Sequence, residues 1–171
     1  LFSLKVFFDT VTHLENEVDF ERSWHTLHSH LGPLLFCVWY RPPNDERISI
    51  DTLQIGLDKY QYDHLGTIII GDLNVHHMTW LRYLTATQAA GVALHDVSIK
   101  NGFVQCVKGP TREGNLLDLV LTDLDSYAHV DIQPCISDHN VLLLTVALSM
   151  PVSAMSERIV WEYAKADWTT L

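Results

Sequence analysis

Acidic and amide side chains and one histidine interrupt three apolar segments of this sequence. They are Asp72 and Asn74 after the run 67–70, Asp118 inside the run 116–121, and Asp138 and His139 just before the run 141–148. A carboxylate in a core strand is costly unless it is paired, hydrogen-bonded or bound to metal. Any one of them could cap a turn or face solvent at a strand end. Three such clusters at separate core strands favour one shared site.

These residue types suit hydrolysis of a phosphate ester. Asp72 could orient and deprotonate a water molecule, and Asn74 could donate to a phosphate oxygen. His139 could contact the phosphate while Asp118 fixes the orientation of its ring. Asp138 offers the hard oxygen ligand that Mg²⁺ prefers.

The elements that must position these residues alternate between strands and helices. Apolar and β-branched content predicts strands at 34–40, 67–70, 103–107, 116–122, 129–133 and 141–148, with weaker candidates at 4–8 and 21–30. Helices are predicted at 51–60, with Asp51 as N-cap, and at 88–100, ended by Asn101-Gly102. This order predicts an α/β fold of layered sheets with helices outside, over residues 1–150. Residues 151–171 lack a clear period and are interpreted as a linker leading out of the domain.

Composition limits the possible functions. The chain has 171 residues, 47% of them apolar, which is enough for one domain with a core. Its three cysteines show no CxxC spacing, which argues against a disulfide framework or a thiolate zinc site and predicts a reducing, intracellular compartment. A net charge of −10 argues against a simple nucleic-acid binding module but is compatible with a nuclease. No apolar run approaches the ~20 residues of a membrane span, so no membrane association is expected.

Several motifs occur in the order of one known superfamily. They are Gly71-Asp-Leu-Asn74, Leu117-Asp-Leu-Val120 and Ser137-Asp-His139, accompanied by Val38-Trp-Tyr-Arg-Pro-Pro43 and Gly109-Pro-Thr-Arg112. The sequence resembles the endonuclease/exonuclease/phosphatase superfamily. Within it, residues 18 to 171 are similar to the apurinic-like endonuclease domain of non-LTR retrotransposons. The resemblance implies a DNase I-like fold, a layered β-sandwich with flanking helices.

The resemblance also implies roles for individual residues. It assigns Asp72, Asn74, Asp118 and His139 to catalysis, Tyr40, Asn74 and Thr111 to substrate binding, and Asp138 to the metal. The implied cofactor is Mg²⁺ (or Mn²⁺), and the implied partners are DNA and a reverse transcriptase domain of the same polyprotein. The implied site of action is the nucleus.

One departure from the family pattern qualifies this interpretation. The family's early asparagine and its main magnesium-binding glutamate have no convincing match before Tyr40. Glu15, Glu17 and Glu21 lie in the corresponding region, but none follows a strand and precedes a helix as expected. We therefore expect a fold lacking part of its N-terminal half, with weak or no activity in the isolated chain.

Further residues have both functional and structural interpretations. The spacing of His25, His28 and His30 favours a surface strand over a metal site. His76 and His77 could approach DNA or hold their loop. Trp80 is interpreted as packing in the core or a loop rather than stacking on a base. Lys108, Arg112 and Arg41 are the candidate contacts to a nucleic-acid backbone.

Two other functional classes remain open. Another phosphoesterase of the same superfamily would share the central motifs, although the retroelement-like tail at 160–171 argues against it. A non-catalytic interaction domain is favoured by the missing glutamate and the acidic charge.

Overall fold

Two β-sheets and two α-helices build the part of the protein that the structure describes. A computed structural model describes residues 2–4, by their backbone alone, and residues 9–45, 48–134 and 138–148. The strands are β1 Phe2–Leu4, β2 Thr10–Glu17, β3 Arg22–Ser29, β4 Gly32–Trp39, β5 Thr67–Asp72, β6 Val104–Gln105, β7 Asp118–Thr122, β8 Ala128–Gln133 and β9 Val141–Val146. The helices are α1 Ile48–Tyr60 and α2 Ala89–Lys100, with 3-10 turns at Val18–Phe20 and Gln61–Asp63.

The larger sheet has six strands in the order β2-β3-β4-β5-β7-β6, and the smaller has the order β1-β9-β8. In the larger sheet β4 and β5 are parallel, because helix α1 carries the chain back across the sheet between them. Strand β7 runs antiparallel to β5. The carboxyl end of β5 therefore meets the start of β7 at one edge of the sheet.

Helix α1 covers one face of the larger sheet. Its residues Ile50, Leu53 and Leu57 are fully buried. Gly56 faces Trp24 of β3, and a Cβ on this glycine would lie 2.5 Å from the indole ring. The absence of a side chain at position 56 therefore lets the helix approach the sheet closely.

The predicted α/β architecture of layered sheets with outer helices is confirmed. Helix α1 begins at Ile48, so Asp51 lies within its first turn and its interpretation as N-cap is wrong. Strand β2 was not predicted, because its sequence TVTHLENE is polar and lies mostly exposed at a sheet edge. Of the candidate strand 4–8, only Leu4 lies within the described residues. The boundary near residue 150 and the linker 151–171 lie outside them. Within the described part of the chain, no helix is long and apolar enough to cross a membrane.

Candidate active site

Asp72 and Asp118 lie opposite each other at the shared edge of β5 and β7, because the antiparallel register pairs the last residue of β5 with the first of β7. Gly71 lets β5 approach β4, since a Cβ at this position would lie 1.6 Å from the Trp39 carbonyl oxygen. Packing of the two strands thus requires the glycine that precedes Asp72. Asp72 itself is the first residue of β5 that is only partly buried.

His139 joins the two carboxylates. Its Nδ1 lies 2.8 Å from Oδ2 of Asp118, and its Nε2 lies 3.8 Å from Oδ2 of Asp72. The first distance is a hydrogen bond in which the ring N–H donates to the carboxylate. The second exceeds hydrogen-bond distance. Asp118 thus fixes the ring, and Nε2 remains available to a phosphate oxygen.

The surroundings of the Asp72 carboxyl raise its pKa above the ordinary value. Burial is the largest cause of the raised pKa of Asp72, and repulsion by the Asp118 carboxylate raises it further. The charge of His139 and hydrogen bonds from Asn74 oppose this rise. Its Oδ1 is buried and has no hydrogen-bond partner among the described residues. A carboxylate with a raised pKa is a stronger base than an ordinary aspartate, which suits abstraction of a proton from water.

Asn74 lies in a loop held by Arg41. Asn74 has a left-handed φ of 45°, and its Nδ2 donates to the Arg41 carbonyl oxygen over 3.0 Å. In return, Nη1 of Arg41 donates to the carbonyl oxygens of Leu73 and Asn74, and the Arg41 backbone N–H donates to the Asp72 carbonyl. Arg41 is only 2% exposed. The expectation that Arg41 contacts a nucleic-acid backbone is therefore wrong, because its guanidinium supports the loop from beneath.

Thr111 positions Asp118. Its hydroxyl oxygen accepts hydrogen bonds from the backbone N–H groups of Leu117 at 3.1 Å and Asp118 at 3.0 Å. Its own carbonyl accepts from the N–H of Asn140, next to His139. The residue is completely buried, so its hydroxyl is not presented to solvent. In this structure the hydroxyl supports the backbone at Asp118, and the assignment of Thr111 to substrate binding stays a prediction.

Tyr40 and Asp138 lie nearer the solvent. Tyr40 is 45% exposed and lies at the same edge as Asp72, because the next residue hydrogen-bonds the Asp72 carbonyl. Asp138 forms a 2.8 Å ion pair with Arg112, and both side chains are substantially exposed. Ser137 of the Ser-Asp-His motif lies outside the described residues.

The described residues do not fit a complete metal site. No group of three histidine, cysteine or carboxylate side chains among them could hold an ion. Glu15 contacts Lys59 and Tyr60, and Glu17 contacts Arg22 and Trp24, so neither carboxylate is free to reach the site. We therefore derive no catalytic step through a metal.

The residues after Asn74 form an aromatic cluster of His77, Trp80 and His95. The backbone N–H of Trp80 donates to Nδ1 of His77, and the rings of His77 and Trp80 both lie 4.9 Å from that of His95. His77 is 9% exposed, which supports its role in holding the loop. The backbone N–H of Gln88, the N-cap of α2, donates to the carbonyl oxygen of His76.

Sequence reasoning missed the buried role of Arg41. A signal was present, because Arg41 precedes two prolines that cannot donate hydrogen bonds. The prolines leave fewer backbone donors in this loop, and the Arg41 guanidinium donates to the carbonyl oxygens of Leu73, Asn74 and Asp45 instead.

Fold and sequence together define the class of the protein. Its layered sheets and its sequence match place it in the endonuclease/exonuclease/phosphatase superfamily. The sequence profile described as endonuclease-reverse transcriptase matches residues 34–143, and the chain belongs to that family. No curated protein matches the chain significantly in sequence.

Solved structures share the fold. The endonuclease domain of TRAS1, a telomere-specific non-LTR retrotransposon, superposes with a TM-score of 0.68 at 18% identity, over 85% of this chain and 73% of that domain. A mannosyl-6-phosphatase of Bacteroides thetaiotaomicron superposes with a TM-score of 0.50 at 14% identity, over 74% of this chain and 57% of that protein. The chain thus spans only part of each of these structures.

Proposed function

We propose that this chain is the endonuclease domain of a retrotransposon and hydrolyses phosphodiester bonds in DNA. The observation that carries the proposal is the contiguous arrangement of Asp118, His139 and Asp72 at one sheet edge. Membership of the endonuclease-reverse transcriptase family is a second, independent support for phosphodiester hydrolysis.

In the proposed reaction, Asp72 takes a proton from a water molecule whose oxygen forms a new bond to phosphorus. The imidazolium form of His139, whose Nδ1–H is held by Asp118, donates a second hydrogen bond from Nε2 to a nonbridging phosphate oxygen and stabilises its growing charge. The bond from phosphorus to the leaving oxygen breaks, and solvent supplies the proton that this oxygen takes up. Tyr40 contacts the phosphate from the same edge. The loop of Asn74 holds Asp72 in place.

The proposal includes the partners implied by the family. The substrate is DNA, and the domain acts in the nucleus beside a reverse transcriptase domain of the same polyprotein. Mg²⁺ or Mn²⁺ is the expected cofactor and would supply positive charge to the phosphate. We expect the isolated chain to be weakly active, because the described residues do not form a complete metal site.

Nicking of supercoiled plasmid in Mg²⁺ tests the proposal. The chain should nick slowly, and the double variant Asp72→Ala, His139→Ala should lose that activity. His129→Ala is the matched control, since His129 is an exposed histidine on β8. Equal nicking by the chain and the double variant would refute the enzymatic function of the isolated chain.

A non-catalytic interaction domain is the second candidate. It is favoured by the incomplete set of metal donors and by the net charge of −10. The same assay separates the two functions, because an interaction domain gives no nicking that depends on Asp72 and His139.

A further inference from the structure

A groove of about 410 Å³ is lined partly by residues that lie close to Asp118 in the chain. Trp80 and Arg82 line one part of it, Gln105 and Lys108 line another, and the buried side chains of Phe103 and Leu116 also contribute to its surface. This volume is within the range of pockets that hold small organic groups.

Two of its residues are exposed cations. Among residues 9–45, 48–134 and 138–148, Arg22 and Arg41 are buried, Lys59 and Arg112 pair with carboxylates, and Lys100 is exposed at the end of α2, outside the groove. Arg82 and Lys108 are exposed and form no ion pair with a carboxylate in that part of the chain. In a protein of net charge −10, two unpaired cations on one groove make it locally attractive to an anion.

The shape of the groove is held by its own hydrogen bonds and ring packing. The Tyr83 hydroxyl donates to the Lys108 carbonyl oxygen over 3.3 Å and links the two chain segments. Lys108 Nζ donates to the Gln105 carbonyl. His95 packs against the Trp80 ring with a centroid distance of 4.9 Å. Trp80 packs against the core, as its sequence interpretation predicts, but it is only partly buried and keeps some surface for a ligand. An aromatic ring held in this way loses little conformational freedom when a ligand stacks on it.

The groove adjoins the candidate site along the chain. Leu116 precedes Asp118 by two residues, which is roughly 7 Å of extended backbone. Lys108 precedes Thr111, the residue that positions Asp118, by three residues. A polynucleotide with a phosphate at His139 would therefore have a neighbouring nucleotide within reach of the groove.

We propose that this groove binds one unpaired nucleotide of the DNA strand that is cut, with its base against Trp80 and its phosphates on Arg82 and Lys108. The inference rests on the proposed function. It specifies an unpaired nucleotide because the base faces of a duplex are already stacked, whereas an unpaired base can stack on an aromatic side chain. Arg82 and Lys108 supply the positive charge that binds the phosphates.

The test measures binding without divalent cation, so that it does not depend on cleavage. The probe is a short fluorescein-labelled single-stranded DNA oligonucleotide, followed by anisotropy at several salt concentrations. The double variant Arg82→Gln, Lys108→Gln should bind about tenfold more weakly at low salt. Its slope of log affinity against log salt should fall by roughly 1.4, at about 0.7 for each phosphate that the variant no longer neutralises.

The control variant is Lys59→Gln, Lys100→Gln, which makes the same change in net charge on helices α1 and α2, outside the groove. Equal affinity and equal salt slope in the two double variants would overturn the proposal. Trp80→Leu should weaken binding by roughly 5- to 150-fold, and Trp80→Phe should restore much of it. Circular dichroism checks that the two double variants and the two Trp80 variants are folded.

Three further outcomes are decisive. Tighter binding of the same sequence as a duplex, with no effect of Trp80→Leu, would contradict the unpaired nucleotide. Loss of plasmid nicking in the double variant Asp72→Ala, His139→Ala with unchanged oligonucleotide binding would support both proposals. Groove-dependent binding by a chain that never nicks would retain the groove and reject the nuclease.

Discussion

Replacing Arg41 tests whether a buried cation holds the Asp72–Asn74 loop. Its guanidinium donates to the carbonyl oxygens of Leu73 and Asn74 at 3.4 and 3.3 Å, and also to the carbonyl of Asp45. Its Nε lies 3.5 Å from the Asp45 carboxylate. Arg41→Ala would leave these buried acceptors without their donor.

The magnitude follows from these interactions. A hydrogen bond to a charged group contributes about 1.5–3 kcal/mol, and the long distances to Leu73 and Asn74 favour the lower end. Burial lowers the pKa of Arg41, which shows that desolvation offsets part of the gain. Breaking a buried ionic interaction by removing one partner costs roughly 3–5 kcal/mol in total. We expect Arg41→Ala to lower the free energy of unfolding by that amount. Arg41→Lys should lower the free energy of unfolding by less, because the ammonium keeps the positive charge. It should still be destabilising, because an ammonium cannot reproduce the several directed hydrogen bonds of the guanidinium.

Urea denaturation followed by circular dichroism measures this loss. Arg112→Ala is the matched control, since it breaks an exposed ion pair with Asp138 and should cost less than about 1 kcal/mol. If Arg41→Ala costs no more than Arg112→Ala, the loop does not depend on the buried guanidinium and the reasoning is refuted. Should Arg41→Ala not fold at all, Arg41→Lys still provides the comparison.

Three further substitutions and a pH profile test the site. Asp72→Asn should raise the free energy of unfolding at pH 7 by roughly 0.5–2 kcal/mol. The folded pKa of Asp72 is raised, so its ionisation destabilises the fold as the pH rises through the unfolded and then the folded pKa. The gain from Asp72→Asn should therefore vanish in acid, where the aspartate is protonated in both states. Thr111→Val should cost roughly 1–3 kcal/mol, since two buried N–H groups lose their acceptor, and Thr111→Ser should be milder; equal losses in denaturation would argue against the hydroxyl. Gly71→Ala should prevent or severely weaken folding, because the Trp39 carbonyl occupies the space of the new Cβ, and a variant with unchanged melting would contradict the strand packing. Any nicking activity should fall as the pH drops through the raised pKa of Asp72. Asp118→Asn removes the repulsion that helps to raise this pKa, so the acidic side of the pH–activity profile should move to lower pH. An unchanged profile in a variant that still nicks would exclude Asp72 as the titrating base.

Much of the architecture could be predicted from the sequence. Apolar runs located β5 and β7, because strands buried on both faces carry few polar residues. The aromatic and β-branched residues of β4 located that strand as well. The polar strand β2 could not be found in this way, since an exposed edge strand forms through pairing with β3 rather than through its own composition.

The sequence by itself determined which residue types could carry out hydrolysis and that they follow or interrupt core strands. Only the tertiary structure decided their distances, because Asp72, Asp118 and His139 meet through strand register and a loop between residues far apart in the chain. It also separated presented side chains from supporting ones. Arg41 and Thr111 resemble substrate-binding residues in sequence, yet both are buried beneath the site, where their hydrogen bonds satisfy backbone groups that water cannot reach.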